Sequence, residues 1–473
     1  MELIFESRSN LSEFRGTLHF VQWKPHIHPE PVLSPDTFVD GGGISSYGTV
    51  LKDEGKLKLW YQCYPEDYPG SGDIAAVAYA ESSDGYHWEK RPLGIVPHGP
   101  NDNHLCDLGL HSPSVFIDPE APPSHRYRAT GCGRPGFLAR PGLRYGYYAA
   151  HSADGLRWEL DSPSPQWEGG DVINSIYHPG RRSGIVALKK EPWVNRLLRR
   201  CIHTATYRDG EYSDHVSAIY PDEFDDVAAV QRGHFSKDYN HMAMLPAGKS
   251  GVVGFICNLC HDLPYTPDIP LGNRGNSNIT LAYQEREGDR WLHVPGRPTF
   301  IDHRDLSWST EGWFDTTSTP VEVGDEHRLY FVARNHEHFQ FLSLENETVG
   351  QPQPYWSDWL KRNIVSGMTF ASWPKFRLFG FEAPFGATFD IDLGPITRPY
   401  EVRLNYRARQ GGRVYASISG QRKPCRDLIG DEIAAKLVWE NGSTVLEPCG
   451  CPQRLTINLE MAAVYAYEVV PVR

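Results

Sequence analysis

Acidic and imidazole side chains recur in this sequence just ahead of short apolar segments. Asp40 follows Phe38-Val39 and precedes three glycines, Asp107 and His111 lead into Pro113-Ser114-Val115-Phe116, and Asp171 stands in Gly169-Gly170-Asp171-Val172-Ile173. Asp238, Asn240 and His241 precede Met242-Ala243-Met244-Leu245, and Glu311 and Asp315 bracket Trp313-Phe314. One carboxylic acid to protonate a leaving oxygen and one carboxylate to activate water or attack carbon, about 5–5.5 Å or 6.5–9.5 Å apart, cleave an acetal such as a glycosidic bond. Asp40, Asp171 and Asp238 are the expected acidic set, with Glu311 as a further candidate for the acid. Each has a plainer reading: a glycine-rich turn for Asp40, strand-start capping for Asp171 and Asp238, and packing of Trp313 and Phe314 between blades for the Glu311 segment.

Substrate binding is expected from His111, Asn240, His241, Trp313, Asp315 and Arg334. An aromatic beside carboxylates suits a sugar, which has an apolar ring face and a polar rim. No cofactor is expected, and no ligand spacing points to a metal. Cys257-Asn258-Leu259-Cys260 has no second CxxC to complete a zinc site, Cys449-Gly450-Cys451 is too tight for one, and the nine cysteines read as reduced thiols.

The elements that must bring such distant residues together repeat along the chain. An apolar strand, a turn and a second strand occur at Tyr47–Asp53 with Leu57–Tyr61, Pro113–Asp118 with Arg126–Ala129, Ser175–Pro179 with Gly184–Leu188, His241–Leu245 with Gly251–Ile256, and Thr319–Val323 with Arg328–Val332. Five copies of one supersecondary unit predict a five-bladed β-propeller, whose inner strands converge on an axis. Ser82-Ser83-Asp84-Gly85-Tyr86-His87-Trp88 and Ser152-Ala153-Asp154-Gly155-Leu156-Arg157-Trp158 repeat as outer turns, so Asp84 and Asp154 read as turn formers. Asp118, followed by Pro119 and Pro122-Pro123, reads as structural too.

The repeats are about 65 to 75 residues apart, more than the ~40–50 of common blades, so inserts are expected around 64–74, 95–111, 190–240 and 260–278. Beyond about residue 365 the alternation in Tyr400–Tyr406, Arg413–Ile418 and Ala462–Val469 predicts a β-sandwich. The expected all-β division is a propeller over 1–355 and a C-terminal sandwich over 366–473, with a short helix around Trp356–Ile364.

Composition narrows the partners. The chain has 473 residues and a formal net charge of −12, so nucleic acid and membrane surfaces are not expected and a small neutral carbohydrate fits better. The first residues, Met1-Glu2-Leu3-Ile4-Phe5, carry no basic region followed by an apolar run, which predicts a cytoplasmic protein. A homo-oligomer is compatible with this sequence.

Further residues sharpen the pattern: Leu18-His19-Phe20 and Pro31-Val32-Leu33 ahead of the first repeat, Tyr47-Gly48-Thr49-Val50 with Asp53-Glu54-Gly55 and Leu59-Trp60-Tyr61 inside it, then Ser83–Trp88, Ser112–Pro119 with Arg126-Tyr127, and Gly380-Phe381 opening the tail. Over nearly the whole chain they resemble the propeller glycoside hydrolases of invertase, levanase and arabinanase type, including bacterial members with a C-terminal sandwich. The resemblance implies a glycoside hydrolase or transglycosidase acting on a small oligosaccharide or glycoside, a furanoside before a pyranoside. The chain departs from that pattern where the catalysis lies. Invertase-like enzymes carry Trp-x-Asn-Asp-Pro-Asn at the first inner strand, Arg-Asp-Pro and Glu-Cys-Pro, and none of these occurs here. Two alternatives stay open: a sugar phosphorylase or rearranging enzyme, which needs a cationic cluster hinted at by Arg274, Arg334 and His336, and a non-catalytic sugar-binding protein.

Overall fold

The computed structural model describes all residues except 5–10, 69–72, 101–102, 267, 310–311, 339–364, 420–423, 449–450 and 473. Glu311 and the expected helix around Trp356–Ile364 lie outside the described residues. Five antiparallel sheets follow one another along the chain as propeller blades. Their innermost strands are Gly43–Asp53, His111–Ile117, Ile173–His178, Ser236–Ala247 and Phe314–Thr316. The ring is closed by the N-terminal segment: His26–Ile27 pairs with Ser366–Pro374 as the outermost strand of the fifth blade.

Small hydroxylated residues let the inner strands crowd the axis. The Val115 backbone N–H donates to Thr49 Oγ1 (2.9 Å), Thr49 Oγ1 lies 2.6 Å from Ser318 Oγ, and Ser175 N–H donates to Ser114 Oγ (2.7 Å). Each links two blades where backbone groups would otherwise be buried unpaired. Gly48 is required at this ring, because a Cβ there would stand 2.0 Å from the Trp60 carbonyl oxygen.

Blade-to-blade packing repeats through the outer turns. Ser152 Oγ accepts from Gly155 N–H (2.8 Å) and Asp154 Oδ1 from Leu156 and Arg157 N–H (both 2.8 Å), with Gly155 at φ +78°. The Gly155 carbonyl then accepts from Trp60 Nε1 of the previous blade (2.6 Å). At the equivalent turn, Ser82 and Asp84 bind the backbone in the same way and the Gly85 carbonyl accepts from Tyr330 (2.9 Å). These aspartates are turn formers by geometry. Fully buried side chains of the size of Trp60 and Tyr330 each contribute about 1.5–3 kcal/mol of hydrophobic stabilisation.

The C-terminal β-sandwich is one eight-stranded sheet in the order Leu11–Gly16, Phe379–Pro395, Pro452–Pro471, Tyr400–Ile418, Asp431–Lys436, with three short strands on its edges. Register shifts at Ala383/Gly386 and Ala408/Arg413 interrupt its long strands, and such shifts bend a sheet. Its alternating residues, among them Phe389, Ile391, Val402, Leu404, Val414 and Ile457, form a separate core. The pairing assigns Ser366–Pro374 to the fifth blade and Glu2–Leu3, Leu11–Gly16 and His19–Gln22 to the C-terminal sheet, segments that the expected limits of 355 and 366 put on the other side.

Arg377, 2% exposed, stands where the chain passes from the fifth blade into the C-terminal sheet. It donates to Asn405 Oδ1 (3.0 Å) and Asp431 Oδ1 (2.6 Å), and its guanidinium faces the rings of Trp23 and Tyr465. The one α-helix among the described residues, Glu223–Gln231, lies in the insert expected at 190–240. It was signalled by an unread capping box, Asp222 and Asp225. Seven cysteines are buried free thiols, whereas Cys451, expected as a thiol, is in a disulfide. No helix among the described residues is long and apolar enough to cross a membrane.

Candidate functional site

Three of the five inner strands break register where their polar residues meet the axis. The shifts fall between Ser45 and Gly48, between His111 and Ser114, and between Tyr239 and His241. Pro113, which has no N–H to give the ladder, sits in the second of them. Such irregularities re-aim side chains, and these lie at Ser45, Ser46, Tyr47, His111 and Asn240.

Asp171 meets three nitrogen-bearing side chains. Its Oδ1 accepts from Arg134 Nη2 (2.7 Å) and lies 3.2 Å from His111 Nε2, and its Oδ2 pairs with Lys189 Nζ. The other ring nitrogen of His111 lies 3.1 Å from the Ile74 carbonyl oxygen, so both nitrogens face oxygen acceptors. Burial pushes the Asp171 carboxyl up, but Lys189, His111 and Arg134 outweigh it and hold the group well below the usual carboxylate range. The residue has φ +136°, a conformation L-residues rarely adopt, and neighbouring Ser112 has φ +50°. Backbone held this way costs about 1–3 kcal/mol per residue and persists where surroundings over-determine it, as three donors do for Asp171.

Asp315 faces the axis from the fifth blade. Its oxygens accept from Ser45 Oγ (2.9 Å), Ser46 N–H (2.8 Å), Ser46 Oγ (2.9 Å) and Arg334 Nη1 (2.9 Å). Tyr47 experiences both acids: burial first, then the charges of Asp315 and Asp171, push its phenol far above the usual tyrosine range. Its hydroxyl accepts from Asn240 Nδ2 (3.1 Å), so its own proton is not used in that bond, and its ring packs edge-on against His241. Desolvation lowers the His241 imidazole to about 4, leaving it neutral, and its Nε2 accepts from Thr316 N–H (3.1 Å).

A second tier links blades three and four. Glu191 lies 3.2 Å from both Lys189 Nζ and Arg200 Nε, while Arg200 donates to Asn240 Oδ1 (3.2 Å) and Asn273 Oδ1. Burial raises the Glu191 carboxyl, but Lys189 and Arg200 bring it below its ordinary value. Trp313 is buried against His338, with ring centroids 4.5 Å apart.

The structure therefore brings together Asp171, Asp315, His111, Asn240, His241 and Arg334. It seats Asp40 and Asp238 differently. Asp40 is 0% exposed: Oδ1 accepts from Asp36 N–H (3.1 Å), Thr37 N–H (2.9 Å) and Thr37 Oγ1 (2.7 Å), and Oδ2 from Tyr61 (2.9 Å) and Lys90 (2.6 Å). It lies in the turn ahead of the first inner strand, where its glycines serve the chain reversal. Asp238, also 0% exposed, accepts from Arg199 Nε (2.7 Å) and lies 3.2 Å from His261 Nε2. Asp107 accepts from Trp158 N–H (2.7 Å) and Asp118 from Glu120 N–H (2.9 Å). Arg274, hinted at as cationic, pairs with Glu337 (2.6 Å).

Sequence reasoning passed over Tyr47, Ser45, Ser46, Arg134, Lys189, Glu191 and Arg200. The ends of second strands supply several of them, and the signal was charge where an apolar strand stops, as in Ala187-Leu188-Lys189-Lys190-Glu191. No group of three or more His, Cys, Asp or Glu among the described residues could hold a metal ion.

Five blades around one axis, closed by an N-terminal strand, define a five-bladed β-propeller with a C-terminal sandwich. No protein-family model matches the chain. Two uncharacterized proteins of Mycobacterium tuberculosis, strains CDC 1551 / Oshkosh and ATCC 25618 / H37Rv, are each 33% identical over 115 residues, 24% of this chain. The match spans 33% of the length of each relative. Among solved structures, the chain is similar to a protein described as a glycoside hydrolase (10% identity, TM-score 0.45, covering 74% of this chain and 92% of that one). It is also similar to the GH32 beta-fructofuranosidase of Bombyx mori (12%, TM-score 0.41, 95% and 94%) and the exo-inulinase of Aspergillus awamori (12%, TM-score 0.38, 93% and 99%).

Proposed function

We propose that this chain is a glycoside hydrolase or transglycosidase acting on a small oligosaccharide or glycoside, with Asp171 and Asp315 as its axial carboxylates. The observation that carries the reading is that these two acids, from blades three and five, flank Tyr47 at the propeller axis: Asp315 binds Ser45 and Ser46, just ahead of Tyr47 in the chain, and Asp171 lies 3.2 Å from His111, whose ring centroid is 6.1 Å from that of Tyr47. Asp171, with 24% of its side chain exposed, is the carboxylate within reach of substrate as base or nucleophile; Asp315, 1% exposed, fixes the wall and supplies negative charge opposite a developing oxocarbenium ion. A hydrolase also needs a proton for the leaving oxygen. Asp171 and Glu191 are held ionised, so that role goes in this proposal to Glu311, and the Tyr47 hydroxyl at the axis is a second donor that keeps its proton at neutral pH.

A panel of aryl furanosides and pyranosides tests the reading through chromophore release by the wild type, Asp171→Asn, Asp315→Asn and Glu311→Gln. Turnover lost in these variants but kept in Asp40→Asn and Asp238→Asn is the expected pattern. Sugar binding with no turnover of any glycoside by the wild type would replace the enzyme by a sugar-binding protein. That second reading draws on one observation: Asp171, Glu191 and Asp315 are all already ion-paired.

A further inference from the structure

Asn240 is the extra residue of a bulge: Tyr239 pairs with Asn258 and His241 with Cys257, which leaves Asn240 unmatched in the ladder. The bulge is docked against blade three by the Tyr239 N–H, which donates to the Arg200 carbonyl (3.2 Å). It sets the Asn240 amide between two partners. Arg200 Nη1 donates to its oxygen (3.2 Å), and its nitrogen donates to the Tyr47 hydroxyl (3.1 Å).

The order of donors along this row is fixed from the arginine end. A guanidinium has five N–H donors and no acceptor, so Arg200 can meet only the oxygen of the amide. The opposite orientation would set donor against donor 3.2 Å apart, between side chains of residues that are 3% and 2% exposed. Arg200 is itself held in place: Glu191 lies 3.2 Å from its Nε, Asn273 Oδ1 accepts from its Nη2, and its guanidinium stands 5.7 Å from the centre of the Tyr265 ring. With its oxygen taken, the amide offers Tyr47 an N–H, and the phenol oxygen accepts it. Asn240 is the one hydrogen-bond partner of that hydroxyl among the described residues, and Tyr47 is half-buried at the axis, so its own proton is left to donate.

We propose that Asn240 is a positioning residue: held by Arg200 and Glu191, it locks Tyr47 as a hydrogen-bond donor, and the Tyr47 O–H meets an oxygen of the bound sugar. Both ends of the Asn240 amide are taken up inside the wall, so the phenol, not the amide, makes the contact. The sugar is taken from the proposed function, whereas the donor order rests on hydrogen-bond chemistry alone.

Neutron diffraction from deuterium-exchanged crystals of the full chain tests the order without a ligand. Two deuterons on the Asn240 nitrogen and a Tyr47 deuteron directed away from Asn240 are expected; a Tyr47 deuteron aimed at Asn240 overturns the inference. Calorimetric titration with arabinose, fructose, galactose and glucose tests its use. Tyr47→Phe and Asn240→Asp should each weaken binding of whichever sugar the wild type takes by about 2- to 10-fold, the worth of one neutral hydrogen bond. A carboxylate at position 240 accepts the phenol proton and withdraws it from the pocket. In the Tyr47→Phe background, Asn240→Asp should therefore change affinity by less than about twofold. A full further loss there would make Asn240 a direct sugar contact and overturn its positioning role, as would sugar affinity unchanged in Tyr47→Phe. If Asn240→Asp fails to fold, the neutron map and Tyr47→Phe still decide. The expected deuteron order with no affinity for any of the four sugars leaves the donor order standing and removes the carbohydrate reading instead.

Discussion

Replacing Asp40 by Asn separates a structural acid from a catalytic one. Its Oδ1 keeps the bonds from Asp36, Thr37 N–H and the Thr37 hydroxyl, because the amide oxygen of Asn accepts equally well. The loss falls on Oδ2, where the new NH2 group would face the Lys90 ammonium and the Tyr61 hydroxyl. Breaking a buried ion pair from one side costs about 3–5 kcal/mol. Lys90 is 10% exposed and retains Asp36 and the Ser34 carbonyl, which puts the expected loss at the lower end, about 3 kcal/mol. Burial raises the Asp40 carboxyl, but His104 and Lys90 outweigh it and hold the group far below its ordinary value. Its stabilisation is therefore complete above the unfolded carboxyl value of about 3.9 and drains away as pH falls toward the depressed folded value. Urea titrations at neutral pH and at a series of acid pH values, alongside kcat/KM corrected for folded protein, measure both effects. The variant should lose stability at neutral pH, show a flatter acid limb and keep its activity within about threefold. Activity reduced by more than about a hundredfold at unchanged stability would refute the structural reading and return Asp40 to the chemistry.

Asp171→Asn and Asp315→Asn should each lower kcat/KM by about 10²- to 10⁴-fold, the range removed with a positioned acid or base, measured on whichever aryl glycoside the wild type cleaves. His241, desolvated and lowered to about 4, should contribute stability that is full above the unfolded value of about 6.5 and falls as pH drops toward 4. At 1.36 kcal/mol per pH unit that is roughly 3 kcal/mol, which His241→Gln should remove from the pH profile of unfolding. Arg377→Met should cost about 1–3 kcal/mol, chiefly by leaving the buried Asn405 side-chain carbonyl without its donor, because Asp431 is half-exposed and keeps Arg407. Urea titration of the variant beside the wild type measures the loss.

The blades were legible because their physics is repetitive. Each pairs a small-residue inner strand with a large apolar second strand, and Trp60 and Tyr330 even share a capping turn in the next blade. What the sequence could not convey was which segments travel. His26–Ile27 closes a blade some 340 residues away in the chain, and Arg377 binds Asn405 and Asp431 at spacings that have no periodicity. At the site, the rule that polar residues at inner-strand starts face the axis located Asp171, His111, Asn240 and Asp315. It misplaced Asp40, which stands three residues before its strand in a turn that consumes both carboxylate oxygens. The acidic total of the chain bears on long-range association and solubility, and it does not show how individual charges pair inside a pocket. Lys189 stands at the end of the third blade's second strand and Arg200 just before the start of its third, which brings both against Glu191, and nothing in their spacing along the chain marks them for it.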